Sequence, residues 1–492
     1  MSPKDLSQLS PLQRRSFLKG ALLGGASLAL PSFLSACGGS SASSYPLIVD
    51  PDTPWWLQNN FAPVFEEVEA FDLPVRGAIP PELSGYYTRN GSNPQNNDSP
   101  HWFLGDGMIH AVHLEGGRAR SYRNRYVQTE LYKRGVSFGN SISSGLAPGG
   151  GNGTSNVSTF YQGGKLISSG EIGAGFEIDP ATLETLGLQT WGDRITNSLT
   201  AHPKVDPETG NLHCFGYWFS PPYLTYYEID PDGNVIHETP IVTESPSMVH
   251  SFAITDREAV FWECPVLFNL GNAVEGPMDA FQWTPEYGAR IGILPFGRPG
   301  SEIRWVEIPP CYVFHEINAF RRGDEVVIDV HRLAAVFHNT DLAEGEDKLI
   351  RWIVDTSGEE LAFRDEELGD EGWDLAAHDR RYTGRPYQHS WNLEFRDHPD
   401  SVDIGGIAYL NPETGERRLW NPEPGRSAAE PFFAPTGAGE GNGYVMAYVY
   451  DARTDSSTLA IFEALNVQRG PIAEIELPQR VPYGFHGHWV AA

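Results

Sequence analysis

Short apolar or alternating segments recur along the chain, separated by polar turn signals. Four of these signals share one chemistry: Asp179-Pro180, Asp206-Pro207-Glu208-Thr209-Gly210, Asp230-Pro231-Asp232-Gly233 and Asn411-Pro412-Glu413-Thr414-Gly415. Proline presets φ at the second turn position, and glycine supplies a positive φ at the end. Each motif predicts a hairpin between antiparallel strands. Strand-like patterning is clearest in Glu325-Val326-Val327-Ile328-Asp329-Val330 and over residues 444–450. Many hairpins and few long amphipathic runs predict an all-β fold, a propeller or a large sandwich. No WD or kelch repeat accompanies the hairpins, so repetition alone does not choose between them.

Composition agrees with this reading. The 492 residues include 52 glycines and 38 prolines, and 12% are aromatic. From Trp55 onward no Ser/Gly-rich break or charge block interrupts the chain, so residues 55–492 are expected to form one domain. The net charge of −29 argues against a nucleic-acid partner, which needs clustered Lys and Arg to neutralise phosphate. It fits an acidic, well-solvated surface.

The N-terminus has a different character. Gln13-Arg14-Arg15-Ser16-Phe17-Leu18-Lys19 resembles a twin-arginine export signal, with Arg14 and Arg15 as its pair. Residues 21–34 follow as an apolar stretch too short to span a bilayer as a helix and suited to a signal core. Leu34-Ser35-Ala36-Cys37 then resembles a lipobox. Residues 1–36 are thus expected to be removed, Cys37 lipidated, and 37–54 to serve as a tether. The expected protein is an exported lipoprotein held to a membrane through Cys37, on the periplasmic or cell-surface side. Export in the folded state suits an enzyme that acquires a metal in the cytoplasm. Cys214, Cys264 and Cys311 contain no CxxC pair and read as small buried apolar residues.

Fifteen histidines occur, so setting matters more than number. Thr200-Ala201-His202-Pro203-Lys204, Met248-Val249-His250-Ser251-Phe252, Phe314-His315-Glu316-Ile317-Asn318 and Gly484-Phe485-His486-Gly487-His488 place a histidine among apolar, Gly or Pro neighbours. At these motifs the chain resembles the carotenoid cleavage oxygenases, a family that includes lignostilbene dioxygenases and the retinoid isomerohydrolase. The resemblance begins at Ile79-Pro80-Pro81-Glu82-Leu83-Ser84-Gly85 and runs through His101-Trp102-Phe103-Leu104-Gly105-Asp106-Gly107 to Tyr483-Gly484-Phe485-His486-Gly487.

The resemblance implies a seven-bladed β-propeller with Fe(II) on its axis and a loop cap over one face. It implies that His202, His250, His315 and His486 are the ligands. Imidazole suits Fe(II), and four ligands leave positions open for O2. It also implies carboxylates behind the imidazoles. Glu171 and Glu430 match two of the family's three glutamates. The third, ten residues before Gly384, falls on Asp374, which is a methylene shorter. Val157 matches an apolar position that narrows one open iron site. His488 competes with His486 by spacing, but the Phe-His-Gly motif favours His486. His110, His113, His213, His331, His338 and His389 read as structural or surface residues.

The implied reaction is cleavage of one C=C bond of a hydrophobic, conjugated substrate by O2, giving two carbonyl products. The aromatic segments Tyr217-Trp218-Phe219 and Pro221-Pro222-Tyr223 read as tunnel lining or as core. Stilbene-cleaving members carry a lysine just before the first glutamate, to hold a phenolate. Gly170 stands there, which points to a carotenoid or apocarotenoid. The rival readings are a stilbenoid dioxygenase, an isomerase, and a non-catalytic pigment-binding propeller.

Overall fold

Each of the four turn motifs joins two antiparallel strands. They link Gly175–Ile178 to Thr185–Gln189, Lys204–Val205 to Leu212–Tyr217, Leu224–Ile229 to Val235–Ile241, and Asp403–Asn411 to Glu416–Trp420. The leading side chain closes the turn: Asp206 accepts from the Glu208 N–H at 3.1 Å and from the Thr209 hydroxyl at 2.7 Å. Gly210, Gly233 and Gly415 take φ values of 72°, 85° and 74°. In the first turn Leu183 holds the equivalent place with φ 61°. Its side chain is buried beside Phe176 and Ile178, which offsets a backbone cost of about 1 kcal/mol.

The computed structural model describes residues 50, 52–269, 271–274, 279–338, 341–396 and 403–492. Arg14, Arg15 and Cys37 lie outside the described residues, as does the side chain of His338. Seven antiparallel sheets of four or more strands form the blades of a propeller, as the resemblance implies. Their inner strands are Gly487–Ala491 (blade 1), Ser158–Gln162 (blade 2), Lys204–Val205 (blade 3), Phe252–Ile254 (blade 4), Tyr312–Arg322 (blade 5), Trp373–His378 (blade 6) and Phe432–Pro435 (blade 7).

Both chain ends close the ring. Gly487–Ala491 pairs with Gly85–Ser92 in blade 1, and Val75–Gly77 pairs with Ala473–Glu476 in blade 7. The closing strand enters tightly, since a Cβ on Gly91 would lie 2.7 Å from the Gly484 Cα. Glycine is required at that crossing.

Middle strands are buried on both faces because blades stack face to face. Asp403–Asn411 is buried throughout, and so is every residue from Val326 to Val330. Asp329 is therefore no solvent-facing position, although its place in an apolar strand would allow one. It is fully buried, bonded to Arg351 Nε at 2.7 Å and to the Tyr387 hydroxyl at 2.7 Å. Outer strands such as Ala362–Gly369 are charged and largely exposed, which blunts the blade edge.

In an up-and-down blade, the connections into the inner strand and those between the second and third strands emerge on one face. The longest connections fall in these two classes. They include residues 127–157, with the helix Glu130–Arg134, and residues 264–288, with the small hairpin Val266–Phe268/Phe281–Trp283. Together they cap a single face of the propeller.

Candidate metal centre

That capped face is where the inner strands begin, and each blade places one notable residue there. Blades 1, 3, 4 and 5 contribute His486, His202, His250 and His315. Blade 2 contributes Val157, blade 6 Asp374 and blade 7 Glu430. Glu171 comes from the connection between the second and third strands of blade 2. Eight residues scattered over 330 positions of sequence thus meet on one axis because the fold is a ring.

The four imidazoles each offer a nitrogen within 4.8 Å of the others. His202 Nε2 lies 2.9 Å from His250 Nε2, which lies 3.4 Å from His315 Nε2. Three of the Nδ1 atoms point away, into carboxylates. His486 Nδ1 meets Glu430 Oε1 at 2.6 Å, His315 Nδ1 meets Asp374 Oδ1 at 2.9 Å, and His250 Nδ1 contacts Glu171. A carboxylate at Nδ1 fixes the proton there and leaves a lone pair on Nε2. Lone pairs 3.4 Å apart repel unless a cation lies between them. Adjacent ligands with metal–nitrogen bonds of about 2.1 Å stand about 3 Å apart, so the donor set fits a metal ion. His202 has no carboxylate contact among the described residues.

Electrostatics favour the neutral form of His202 and His486 and the ionised form of Asp374 and Glu171. Burial, reinforced by the other imidazoles and Lys204, holds His202 well below the ordinary histidine range. Burial lowers His486 despite Glu430. Burial would lower His315 too, but Asp374 outweighs it and raises that imidazole. Burial would raise the Asp374 carboxyl, yet His315 pulls it down to about 2. Glu171 is likewise pulled below the usual carboxylate range, against burial, by His250 and a bond from Tyr217.

Several neighbours carry roles that the motifs do not reveal. The Tyr217 hydroxyl donates to Glu171 Oε2 at 2.5 Å, so this aromatic orients a support. His331 is buried near Asp374, and its field helps hold that carboxyl down. His488 is not in the imidazole group; its Nδ1 accepts from Arg380 Nη1 at 2.5 Å. Val157 packs beside the centre, its carbonyl accepting from the His486 N–H at 2.8 Å.

Above the imidazoles lies an aromatic roof. Phe314 meets the His250 ring edge-on at 5.1 Å. From Phe314 the rings continue through Phe337, Phe281 and Phe268 to Phe219, which stacks on Phe268 at 3.9 Å. Cys214, Cys264 and Cys311 are buried free thiols, as expected.

A propeller with axial imidazoles, backed by carboxylates and roofed by aromatics, has the architecture of a non-haem metal enzyme. Residues 61–491 match the family described as retinal pigment epithelial membrane protein. The chain is 33% identical to carotenoid 9,10(9',10')-cleavage dioxygenase 1 of Arabidopsis thaliana, over 88% of this chain and 89% of that one. It is 31% identical to a carotenoid cleavage oxygenase of Mycobacterium tuberculosis, over 88% and 97% of the two chains. The crystal structure of Pseudomonas brassicacearum lignostilbene dioxygenase superposes with a TM-score of 0.83 at 29% identity, covering 90% of this chain and all of that one. The chain belongs to this family, that of the carotenoid cleavage oxygenases, and to its class of non-haem iron dioxygenases that cleave C=C bonds.

Proposed function

We propose that the chain binds Fe(II) through His202, His250, His315 and His486, and cleaves one double bond of a carotenoid or apocarotenoid. Fe(II) held there supplies the activation of O2. The protein's part is to hold the imidazoles through Glu171, Asp374 and Glu430, to exclude water under the Phe314 roof, and to position one double bond beside the centre. Val157 narrows one of the open positions. The relatives named for carotenoid cleavage support this substrate class.

The observation that carries the choice of substrate is at Gly170. A Cβ there would lie 3.1 Å from the Ser155 N and 3.3 Å from the Thr154 Oγ1. The segment is pressed against its neighbour, and among the described residues no lysine pairs with Glu171, whose partners are His250 and Tyr217, to hold a phenolate. The aromatic roof instead suits an apolar polyene. Incubating the iron-loaded protein under labelled O2 with carotenoids, apocarotenals and hydroxystilbenes tests this. Two carbonyl fragments, each carrying label, are expected from the polyenes. Cleavage of hydroxystilbenes alone would overturn the assignment, and an unlabelled rearranged product would indicate an isomerase.

We also propose that residues 1–36 direct export by the twin-arginine route and that Cys37 anchors the propeller domain to a membrane. Replacing both Arg14 and Arg15 by Lys should leave the protein in the cytoplasm, and Cys37→Ser should release it from the membrane fraction. Normal membrane levels of the doubly substituted protein would contradict the export reading.

A further inference from the structure

Three of the histidine-bearing strands are joined by a polar contact that none of the motifs explains. Glu316 directly follows His315 in blade 5. Pairing of its strand shifts register on both sides of Glu316, between Val313 and Glu316 and between Glu316 and Asn318. The irregularity re-aims the side chain, which lies in an ion pair with Lys204 of blade 3 through Oε1. Its other oxygen, Oε2, accepts from the Ser251 hydroxyl of blade 4 at 2.7 Å. Lys204 stands two residues after His202, and Ser251 one residue after His250. One carboxylate, only 7% exposed, thus uses both oxygens to tie together the strands that carry three of the four imidazoles.

We infer that Glu316, with Lys204 and Ser251, is a positioning unit for the metal centre; the inference rests on the four-histidine reading above. Lys204 and Glu316 reach His202 and His315 only through their charge; among the described residues no hydrogen bond or ion pair joins a member of the unit to an imidazole. Each is bound by one or two peptide units to a residue that presents one. If the tie breaks, the three strand ends are free to move by the few tenths of an ångström that change a metal–nitrogen bond. The charge matters as well as the shape. With Glu316 neutralised, the Lys204 ammonium, 16% exposed, loses its partner and would have to shift toward water, pulling the strand that follows His202.

Co(II) provides a readout separate from turnover. The metal-free full-length chain is titrated with Co(II) against a chelator, and the visible Co(II) bands are recorded for the parent, Glu316→Gln, Lys204→Met, Lys204→Arg and Ser251→Ala. Asp329→Asn serves as a control, since it breaks a buried Arg351 pair in the same blade whose side chains, among the described residues, bond neither to an imidazole nor to Glu316, Lys204 or Ser251. Glu316→Gln and Lys204→Met should weaken Co(II) binding by about 10-fold and shift the bands. Lys204→Arg should recover most of the affinity, and Ser251→Ala should show a smaller loss in the same direction. Asp329→Asn should lower the melting temperature of the metal-free protein yet keep the parent's affinity and spectrum. If Glu316→Gln lowers the melting temperature but binds Co(II) as the parent does, the tie is structural only and the inference fails. If Glu316→Gln does not fold, Ser251→Ala decides by the same readouts. A parent that binds no Co(II) would instead overturn the four-histidine reading itself.

Discussion

His315 Nδ1 and Asp374 Oδ1 lie 2.9 Å apart, although the aspartate is a methylene shorter than the glutamate the resemblance places there. The backbone makes up the difference. Pairing between Trp373–His378 and Ser390–Arg396 shifts register between Asp374 and Ala377. Leu375 takes φ 51°, and its N–H donates to Asp374 Oδ1 at 2.8 Å. A buried leucine stays at positive φ only when its surroundings hold it there. The irregular strand carries the short carboxylate to the imidazole.

Substitutions at Asp374 should expose that fit. Asp374→Asn keeps the size but gives up the charge-assisted bond, and should cost about 10- to 100-fold in metal affinity. Asp374→Ala should lose at least as much. Asp374→Glu adds about 1.5 Å of reach that the strand has already supplied, so it should bind metal less tightly than the parent but better than Asp374→Ala. Chelator competition reads all three. Parental affinity in Asp374→Glu would mean that the strand irregularity is not matched to aspartate.

Tyr217 supports Glu171 from behind. Tyr217→Phe removes one bond to the carboxylate while His250 keeps its partner, so metal affinity should fall only a few-fold. Glu171→Gln should fall further, because the imidazole then loses its anionic acceptor. Equal losses in the two variants would show that Tyr217 does more than orient Glu171.

Away from the centre, His213 and His110 set an acid limit. Each is buried and bonded to a tyrosine hydroxyl, His213 to Tyr226 at 2.5 Å and His110 to Tyr122 at 2.8 Å. Burial pushes His213 down to about 4 and His110 down to about 3. The unfolded chain takes up these protons near pH 6.5, before the folded protein does. Stability should therefore fall as pH drops from about 6.5 toward 4. Replacing His213 with Gln should flatten part of that slope in melting curves taken across this range. An unchanged slope would assign the acid limit to other groups.

Much of the fold could be read in the sequence, through particular chemistry. The Asp-Pro and Asn-Pro turns announce hairpins because their side chains cap the turn and a glycine ends it. Leu183 shows the limit of that signal, since a buried leucine takes the left-handed position without a glycine. The number of blades came from the resemblance, because the strands differ too much in length and burial to show a repeat. Asp329 was illegible as a core residue, since a face covered by a neighbouring blade looks like any polar position. At the site, the motifs single out the four histidines that the structure brings together, with Glu171, Asp374 and Glu430 behind three of them. The bond from Tyr217 to Glu171 stayed hidden because an aromatic next to Trp218 and Phe219 reads as tunnel lining or core. Lys204, Ser251 and Glu316 sit inside the histidine motifs, but nothing in one strand reveals that three strands meet.

The most direct measurement is the metal content of the full-length protein purified after iron-replete expression, beside His202→Ala and His315→Ala. The account predicts about one iron per chain in the parent and loss of most of it in both variants. Stoichiometric zinc without iron in the parent, or iron retained in full after either substitution, would contradict it.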